Sequence, residues 1–382
     1  MDVTLSLTHD CNLACSYCYA GEKRRTSMTT KVADRALDFA FSFDADEVQL
    51  GYFGGEPMME WELLQHATAR AEELAADSIK LKKTLTTNVT MMTPERAEWL
   101  KEHEFYLGVS IDGCRKMHDV TRPFVSGRSS FDACIKGLDI ILSLIPDLEV
   151  IVVPDPMSVQ HLAESIRFMI EDKKVHRVSV NPNFYTEWDD EALDGMKKAF
   201  EEIGEQYLAW YRSGMMPQVN FIDTKVITQL KEGYSCKDKC NFGEHEIAVA
   251  PSGRLYPCER LVATDDGGEM CIGNIFDGFD EKKRAAILSQ RGNVNPDCLS
   301  CSIRSRCMNW CCCINYALTG TINRTDGIVC FHEQTAAAVA DRIGSMLFEE
   351  RCPAFLRRFY YEDFSDPNPD TTIPSPTQTP LP

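Results

Sequence analysis

The stretch Cys11-Asn12-Leu13-Ala14-Cys15-Ser16-Tyr17-Cys18 follows directly on Val3, Leu5 and Leu7, which alternate with small polar residues as a half-buried strand does. Three residues separate its first two cysteines and two separate the last pair, so one short loop aims three thiols at one small object. A four-iron cluster normally takes four cysteine ligands, and three leave one iron open for another molecule. A structural zinc would need a fourth donor, and His9, on the strand side of the loop, is the nearby histidine. The unit that results is a strand, a loop able to carry chemistry, and whatever helix follows.

That unit recurs along the chain. Behind Thr30, a residue able to cap a helix, Val32, Ala33, Leu37, Ala40 and Phe41 fall at helical spacing. Glu47 to Phe53 reads as a strand ending in Gly54-Gly55-Glu56-Pro57, with Trp61 to Leu74 as its helix. Leu81 to Thr87 is a third strand, followed by a helix opened by Thr93 and Pro94, a proline at the favoured first helical position. Tyr106 to Ile111 pairs with a helix from Phe131 to Leu144, Glu149 to Val153 with a helix after Ser158, and Arg177 to Val180 with a long helix from Glu191 to Arg212.

Strands alternating with helices imply parallel strands and right-handed crossovers, and six such units fall short of the eight that close a full barrel. The expected fold class is α/β, a partial (β/α)6 TIM-like barrel. Chemistry in such folds sits on loops at the carboxyl ends of strands, where the Cys11, Gly54, Thr86-Thr87-Asn88 and Asp112 loops all fall. After about residue 215 the alternation fades and cysteines become dense from Cys236 to Cys330. The composition therefore divides the chain into a barrel over 1–215, a cysteine-rich domain over 216–335 and a segment over 336–362, with a last helix running from about Gln334 to Glu350. Residues 363–382, rich in Pro, Asp, Thr and Ser, are expected to be disordered.

Composition narrows the class. A chain of 382 residues buries a core without staples, so seventeen cysteines exceed what folding requires. The chain enters a strand pattern within a few residues of Met1, leaving no space there for a secretory signal, and metal ligation outweighs a disulfide framework. The net charge of −18, with no basic stripe, argues against sequence-independent nucleic-acid binding. The longest apolar run, Ile135 to Ile145, is interrupted by Lys136 and Asp139 and is too short for a bilayer. The expectation is a cytoplasmic protein that binds neither nucleic acid nor membrane.

With its spacing and the aromatic Tyr17, the Cys11 loop resembles the signature of the radical S-adenosylmethionine (radical SAM) superfamily, Cys-x3-Cys-x-aromatic-Cys. Gly54-Gly55-Glu56-Pro57 alone would read as a turn, but after the second strand it is similar to the superfamily's Gly-Gly-Glu-Pro motif. Glycines there let backbone approach closely, and the resemblance assigns Glu56 to the ammonium of the methionyl group. Ser110-Ile111-Asp112-Gly113, followed by His118-Asp119 and Arg122, resembles the fourth-strand loop of peptide-modifying members. That likeness assigns Ser110 and Arg122 to the methionyl carboxylate, and Asn88 to the same cavity.

Cys240 is followed after twelve residues by Gly253 and after four more by Cys258; then come Cys298-x2-Cys301-x5-Cys307-x3-Cys311 and, after a gap, Cys330. In order and spacing this resembles the SPASM extension, which carries two auxiliary four-iron clusters and is far more specific than a single zinc-knuckle pair. By position, the resemblance gives Cys298, Cys301, Cys307 and Cys330 to one cluster, and Cys240, Cys258 and Cys311 to the other, with Cys236 its natural fourth ligand. The adjacent Cys312 and Cys313, and Cys271, are competitors for the second cluster, and an absent Cys236 would leave it an open iron. Cys114, Cys134 and Cys352 read as ordinary buried or semi-buried thiols. Glu259 matches the position of an aspartate that serves as base in sulfatase-maturating relatives; the alternative is a surface partner for Arg260.

The resemblance implies S-adenosylmethionine and three 4Fe-4S clusters as cofactors, a flavodoxin-like or ferredoxin-like electron donor, and a 5'-deoxyadenosyl radical that abstracts hydrogen from a ribosomally made peptide. The expected product is a thioether or carbon-carbon crosslink; the alternative is formylglycine made from Cys or Ser in a sulfatase. A non-catalytic metal or electron-transfer scaffold is the reading from another class, and it leaves the Gly54 and Ser110 motifs without a purpose. Ten residues ahead of Cys11 give no space for a leader-binding module there, so leader recognition falls elsewhere on the chain or to a partner protein.

Overall fold

Val3 and Leu5 are buried on one face of the first strand, and the sheet is assembled around them. In the computed structural model, which describes residues 1–20, 23–76, 78–291 and 295–361, β1 (Asp2–Ser6), β2 (Glu47–Phe53), β3 (Lys80–Thr87), β4 (Phe105–Ser110), β5 (Glu149–Val152) and β6 (Arg177–Val180) lie side by side in chain order, all parallel. Leu5 pairs with Tyr52, Tyr52 with Leu85 and Leu85 with Leu107, so one register line places four buried apolar side chains in a layer.

The crossovers are α1 (Thr30–Ala40), α2 (Trp61–Ala75), α3 (Pro94–Glu102), α4 (Arg115–Thr121) with α5 (Phe131–Leu142), α6 (Leu162–Arg167) and α7 (Asp190–Arg212). The cap of α1 is Thr29 rather than Thr30: its hydroxyl accepts from the Val32 backbone N–H at 3.3 Å. The partial (β/α)6 barrel is thus the observed core, and α4 is the short helix that the apolar periodicity did not announce.

The sheet does not stop at residue 215. β7 (Gln218–Val219) continues parallel beyond β6, and after α8 (Asn220–Leu230) the chain returns to the opposite edge, where β8 (Glu246–Val249) pairs parallel with β1. β9 (Arg254–Tyr256), β10 (Gly273–Asn274) and β11 (Gly278–Phe279) extend that edge antiparallel, giving the order β11-β10-β9-β8-β1-β2-β3-β4-β5-β6-β7 among the described residues. The cysteine-rich part is anchored by backbone hydrogen bonds to the strand that carries the Cys11 loop.

Beyond the sheet lie α9 (Glu281–Leu288), α10 (Cys312–Thr319), α11 (Gly327–Glu349) and α12 (Pro353–Leu356). The helix expected from about Gln334 begins seven residues earlier, at Gly327, capped by Asp326, and crosses the boundary drawn at 335. His332 and Glu333 are polar but buried, which broke the apolar pattern in its first turns. α11 packs against α7 so closely that a Cβ on Gly204 would stand 2.9 Å from Val339. No helix among the described residues is long and apolar enough to cross a membrane. The expectation for 363–382 falls outside the described residues.

Candidate active site

The Cys11 loop leaves β1 and is pinned from two directions. Ala14 and Ser16 donate their backbone N–H groups to the carbonyls of Pro123 and Thr121, at 2.8 and 2.9 Å. The Tyr17 hydroxyl donates to Asp112 Oδ2 at 2.7 Å and accepts from Arg122 Nη1 at 2.5 Å. Asp112 is fully buried, also accepts from Thr121 Oγ1 and the Val153 N–H, and is not among the residues lining the cavity described below. Through Tyr17 it anchors the cysteine loop. Burial pushes its carboxyl up, opposed by the nearby Arg122.

Gly54 and Gly55 bring the β2 loop against the Cys11 loop. Gly54 has φ +135°, and a Cβ on Gly55 would stand 1.9 Å from the Asp10 carbonyl oxygen, so only glycine permits this approach. Gly55 and Glu56 donate backbone N–H groups to Thr8 and Asp10 across it. The Glu56 side chain, 1 % exposed, accepts from the Met58 N–H (3.0 Å), Thr87 Oγ1 (2.7 Å) and the Asn88 N–H (2.8 Å). A carboxylate offers about four acceptor positions, so one is left after these three. Burial raises the Glu56 carboxyl above its ordinary range, and a cation opposite it would favour the ionised form. Pro57 is buried at the start of a short turn over residues 57–60 and is structural.

Cys11, Cys15, Cys18, Glu56, Asn88, Ser110 and Arg122 all line one cavity of about 500 Å³, together with Gly54, Gly55 and Tyr17. Asn88 donates from Nδ2 to Asn12 Oδ1 at 2.9 Å, tying the β3 loop to the cysteine loop. Arg122 is 5 % exposed and its Nε has no partner, a buried guanidinium edge suited to an anion. Burial pushes the Cys11 thiol up to about 11 and raises Cys15 as well, so thiolates here require a bound cation. Donors already face the sulfurs: the Leu13 N–H lies 3.4 Å from Cys11 Sγ and Lys23 Nζ 2.9 Å from Cys18 Sγ. Three convergent thiols with hydrogen-bond donors, beside a glycine cradle, a buried carboxylate and a buried guanidinium, fit an iron-sulfur cluster holding an amino acid.

Two further groups of cysteines are brought together by the fold. Cys311 Sγ and Cys313 Sγ are 3.6 Å apart, and the Cys258 thiol, hydrogen-bonded to Cys313, lies 3.4 Å from Glu259 Oε2. Cys240 is pushed up by burial and then by Glu246, with Cys311 and Cys312 also acting on it. Glu246, which the sequence reading passed over, has donor atoms within 4.8 Å of those of Cys258 and Glu259. Burial and the facing Glu259 lift its carboxyl to about 7. Cys236, on a turn capped by Ser235, is exposed. Cys271 donates instead to the Gly273 carbonyl at 3.4 Å. Burial and Cys301 raise Cys298, and burial, with Cys298 and Cys301, raises Cys330. Cys307 is buried beside Glu333. Cys114, Cys134 and Cys352 are buried, and Cys352 donates to the Tyr211 carbonyl.

Glu259 and Cys311 line the same cavity as the first three cysteines, as do Arg260, Lys225, His332 and Glu333. Arg260 sits over the Tyr19 ring at 4.7 Å. These four residues carried no motif; Lys225, His332 and Glu333 interrupt apolar helical patterns, and Arg260 follows Cys258 and Glu259 directly.

Residues 5–169, the barrel part of the chain, match the family model described as the radical SAM superfamily. The serine-type anaerobic sulfatase-maturating enzyme of Klebsiella aerogenes is 24% identical over 326 residues, covering 79% of this chain and 76% of that protein. An uncharacterized protein of Methanocaldococcus jannaschii is 28% identical over 166 residues, 44% of this chain, and the match spans 57% of that relative's length. Among solved structures, native anSMEcpe with bound AdoMet superposes with a TM-score of 0.78 at 17% identity, covering 91% of this chain and 99% of that one. Streptococcus suis SuiB bound to its precursor peptide SuiA gives 0.59 at 18% identity, covering 86% and 75%. These likenesses establish a shared fold and bear out an α/β barrel with a cysteine-rich, SPASM-like C-terminal part.

Proposed function

We propose that this chain is a radical SAM enzyme and that it modifies a peptide or protein side chain. The observation that carries this reading is the single cavity whose walls hold both the Cys11, Cys15 and Cys18 thiols and, from the cysteine-rich part, Glu259 and Cys311. When bound, a cluster on the first loop with S-adenosylmethionine supplies the 5'-deoxyadenosyl radical that takes a hydrogen atom from the substrate. The chain's own residues bind, orient and exclude water. Glu56 receives the methionyl ammonium at its remaining acceptor position, and Ser110 and Arg122 receive the carboxylate. Glu259 accepts the substrate's proton. Cys298, Cys301, Cys307 and Cys330 hold one auxiliary cluster; Cys240, Cys258 and a thiol from Cys311 to Cys313 hold the other, which Cys236 completes if its turn folds inward.

Two products are supported about equally. A thioether or carbon-carbon crosslink accords with the likeness to SuiB, whose solved structure contains a precursor peptide. Formylglycine accords with the similarity to the sulfatase-maturating enzyme. A flavodoxin-type or ferredoxin-type donor, a partner that recognises a leader, and a reducing cytoplasm in which all seventeen thiols stay unpaired complete the proposal.

Anaerobically purified protein is expected to contain about twelve irons with matching sulfide, as three four-iron clusters require; zinc without sulfide would sink the reading. Cys15→Ala is expected to abolish reductive cleavage of S-adenosylmethionine. Mass spectrometry of treated peptides separates the products: a hydrazide-reactive aldehyde marks formylglycine, and loss of hydrogen without an aldehyde marks a crosslink.

A further inference from the structure

His332, in the second turn of α11, is 6 % exposed and lines the same cavity as the cysteine loop. Phe184 and Phe200 hold its ring edge-on, each with centroids 5.6 Å away. Its Nδ1 lies 3.4 Å from Glu333 Oε1, while Glu333 Oε2 is fixed by Lys225 Nζ at 2.7 Å and the Met308 N–H at 2.6 Å. The carboxylate faces Nδ1 without a hydrogen bond to it, and neither ring nitrogen of His332 has a hydrogen-bond partner in the folded chain. A buried polar atom without a partner is costly, and native proteins retain one where a ligand completes it.

The way to His332 is also built. Phe184 and Tyr185 belong both to this cavity and to a neighbouring groove of about 500 Å³ whose far wall carries Trp188 and Phe331. A free amino acid needs no such extension, whereas an extended chain can lie in the groove and pass Tyr185 into the cavity.

We propose that His332 is a substrate-positioning residue: with Nδ1 facing a carboxylate, Nε2 accepts a hydrogen bond from an amide, hydroxyl or thiol of a peptide entering past Tyr185. This rests on the peptide-modifying function above. The test uses the cluster-loaded enzyme with synthetic sulfatase-type peptides carrying either Cys or Ser. In His332→Phe, which keeps an aromatic ring between Phe184 and Phe200, KM for the peptide that the wild type turns over is expected to rise about tenfold with a smaller change in kcat. His332→Gln, which keeps an acceptor, is expected to recover part of that loss.

A fall in kcat with KM unchanged would overturn the proposal, as would loss of iron from His332→Phe, since Cys330 lies two residues away. If the wild type fails to cleave S-adenosylmethionine, the radical reading fails instead. If it cleaves the cofactor but modifies neither peptide, thermal unfolding decides. A midpoint for His332→Phe within about 2 °C of wild type supports an Nε2 with no structural partner, and a larger drop shows a structural role and overturns the inference.

Discussion

Glu56 accepts hydrogen bonds from Met58, Thr87 and Asn88, so it joins the loops after β2 and β3 before any ligand arrives. Glu56→Ala strands three buried donors and is expected to destabilise the fold by about 3 kcal/mol, read as a lower urea midpoint, in addition to losing cofactor affinity. His118 gives a pH prediction. It is fully buried, accepts from the Asp112 N–H and is hydrogen-bonded to Ser130, and burial drops its pKa from 6.5 to about 2. The folded state keeps the ring neutral while the unfolded chain protonates below 6.5, so unfolding takes up a proton and stability falls as pH drops. Below pH 6.5 its contribution should fall by up to about 1.4 kcal/mol per pH unit. Urea midpoints measured at steps between pH 4.5 and pH 7 check it, and in His118→Asn that slope should flatten.

At the scale of elements, the β2 loop reaches the cysteine loop only because residues 54 and 55 lack side chains. Gly55→Ala places a methyl group 1.9 Å from the Asp10 carbonyl oxygen, so one loop must move. The expected cost is about 1–3 kcal/mol of overpacking together with reduced iron at the first site, measured by iron content and by calorimetric unfolding. The helices differed in how legible they were. α2 and α7 showed strong apolar periodicity and lie close to where the pattern put them. α4 has only seven residues, and the first turns of α11 carry buried His332 and Glu333, so neither presented an apolar stripe.

For the molecule as a whole, the Lys225–Glu333 ion pair links α8 to α11, each side chain 3% exposed. Lys225 also donates to the Arg306 carbonyl at 2.6 Å, and Glu333 accepts from the Met308 N–H, so the pair grips the chain on both sides of Cys307. Lys225→Met leaves a buried carboxylate unpaired and is expected to cost about 3–5 kcal/mol. If the proposed auxiliary clusters are present, it should also remove their iron while the first cluster remains, a loss visible in iron content and in electron paramagnetic resonance of the reduced protein. The sequence by itself determined the parallel barrel core and the three-cysteine loop, because strand alternation, helical periodicity and ligand spacing are local patterns. It also marked Gly54 to Glu56, where close backbone approach requires glycine. Only the tertiary structure decided that β8 joins the edge of β1, that Asp112 anchors Tyr17 instead of lining the cavity, and that Glu246 and His332 face the cysteine sites. Those facts depend on contacts between residues tens to hundreds of positions apart, which no local period records.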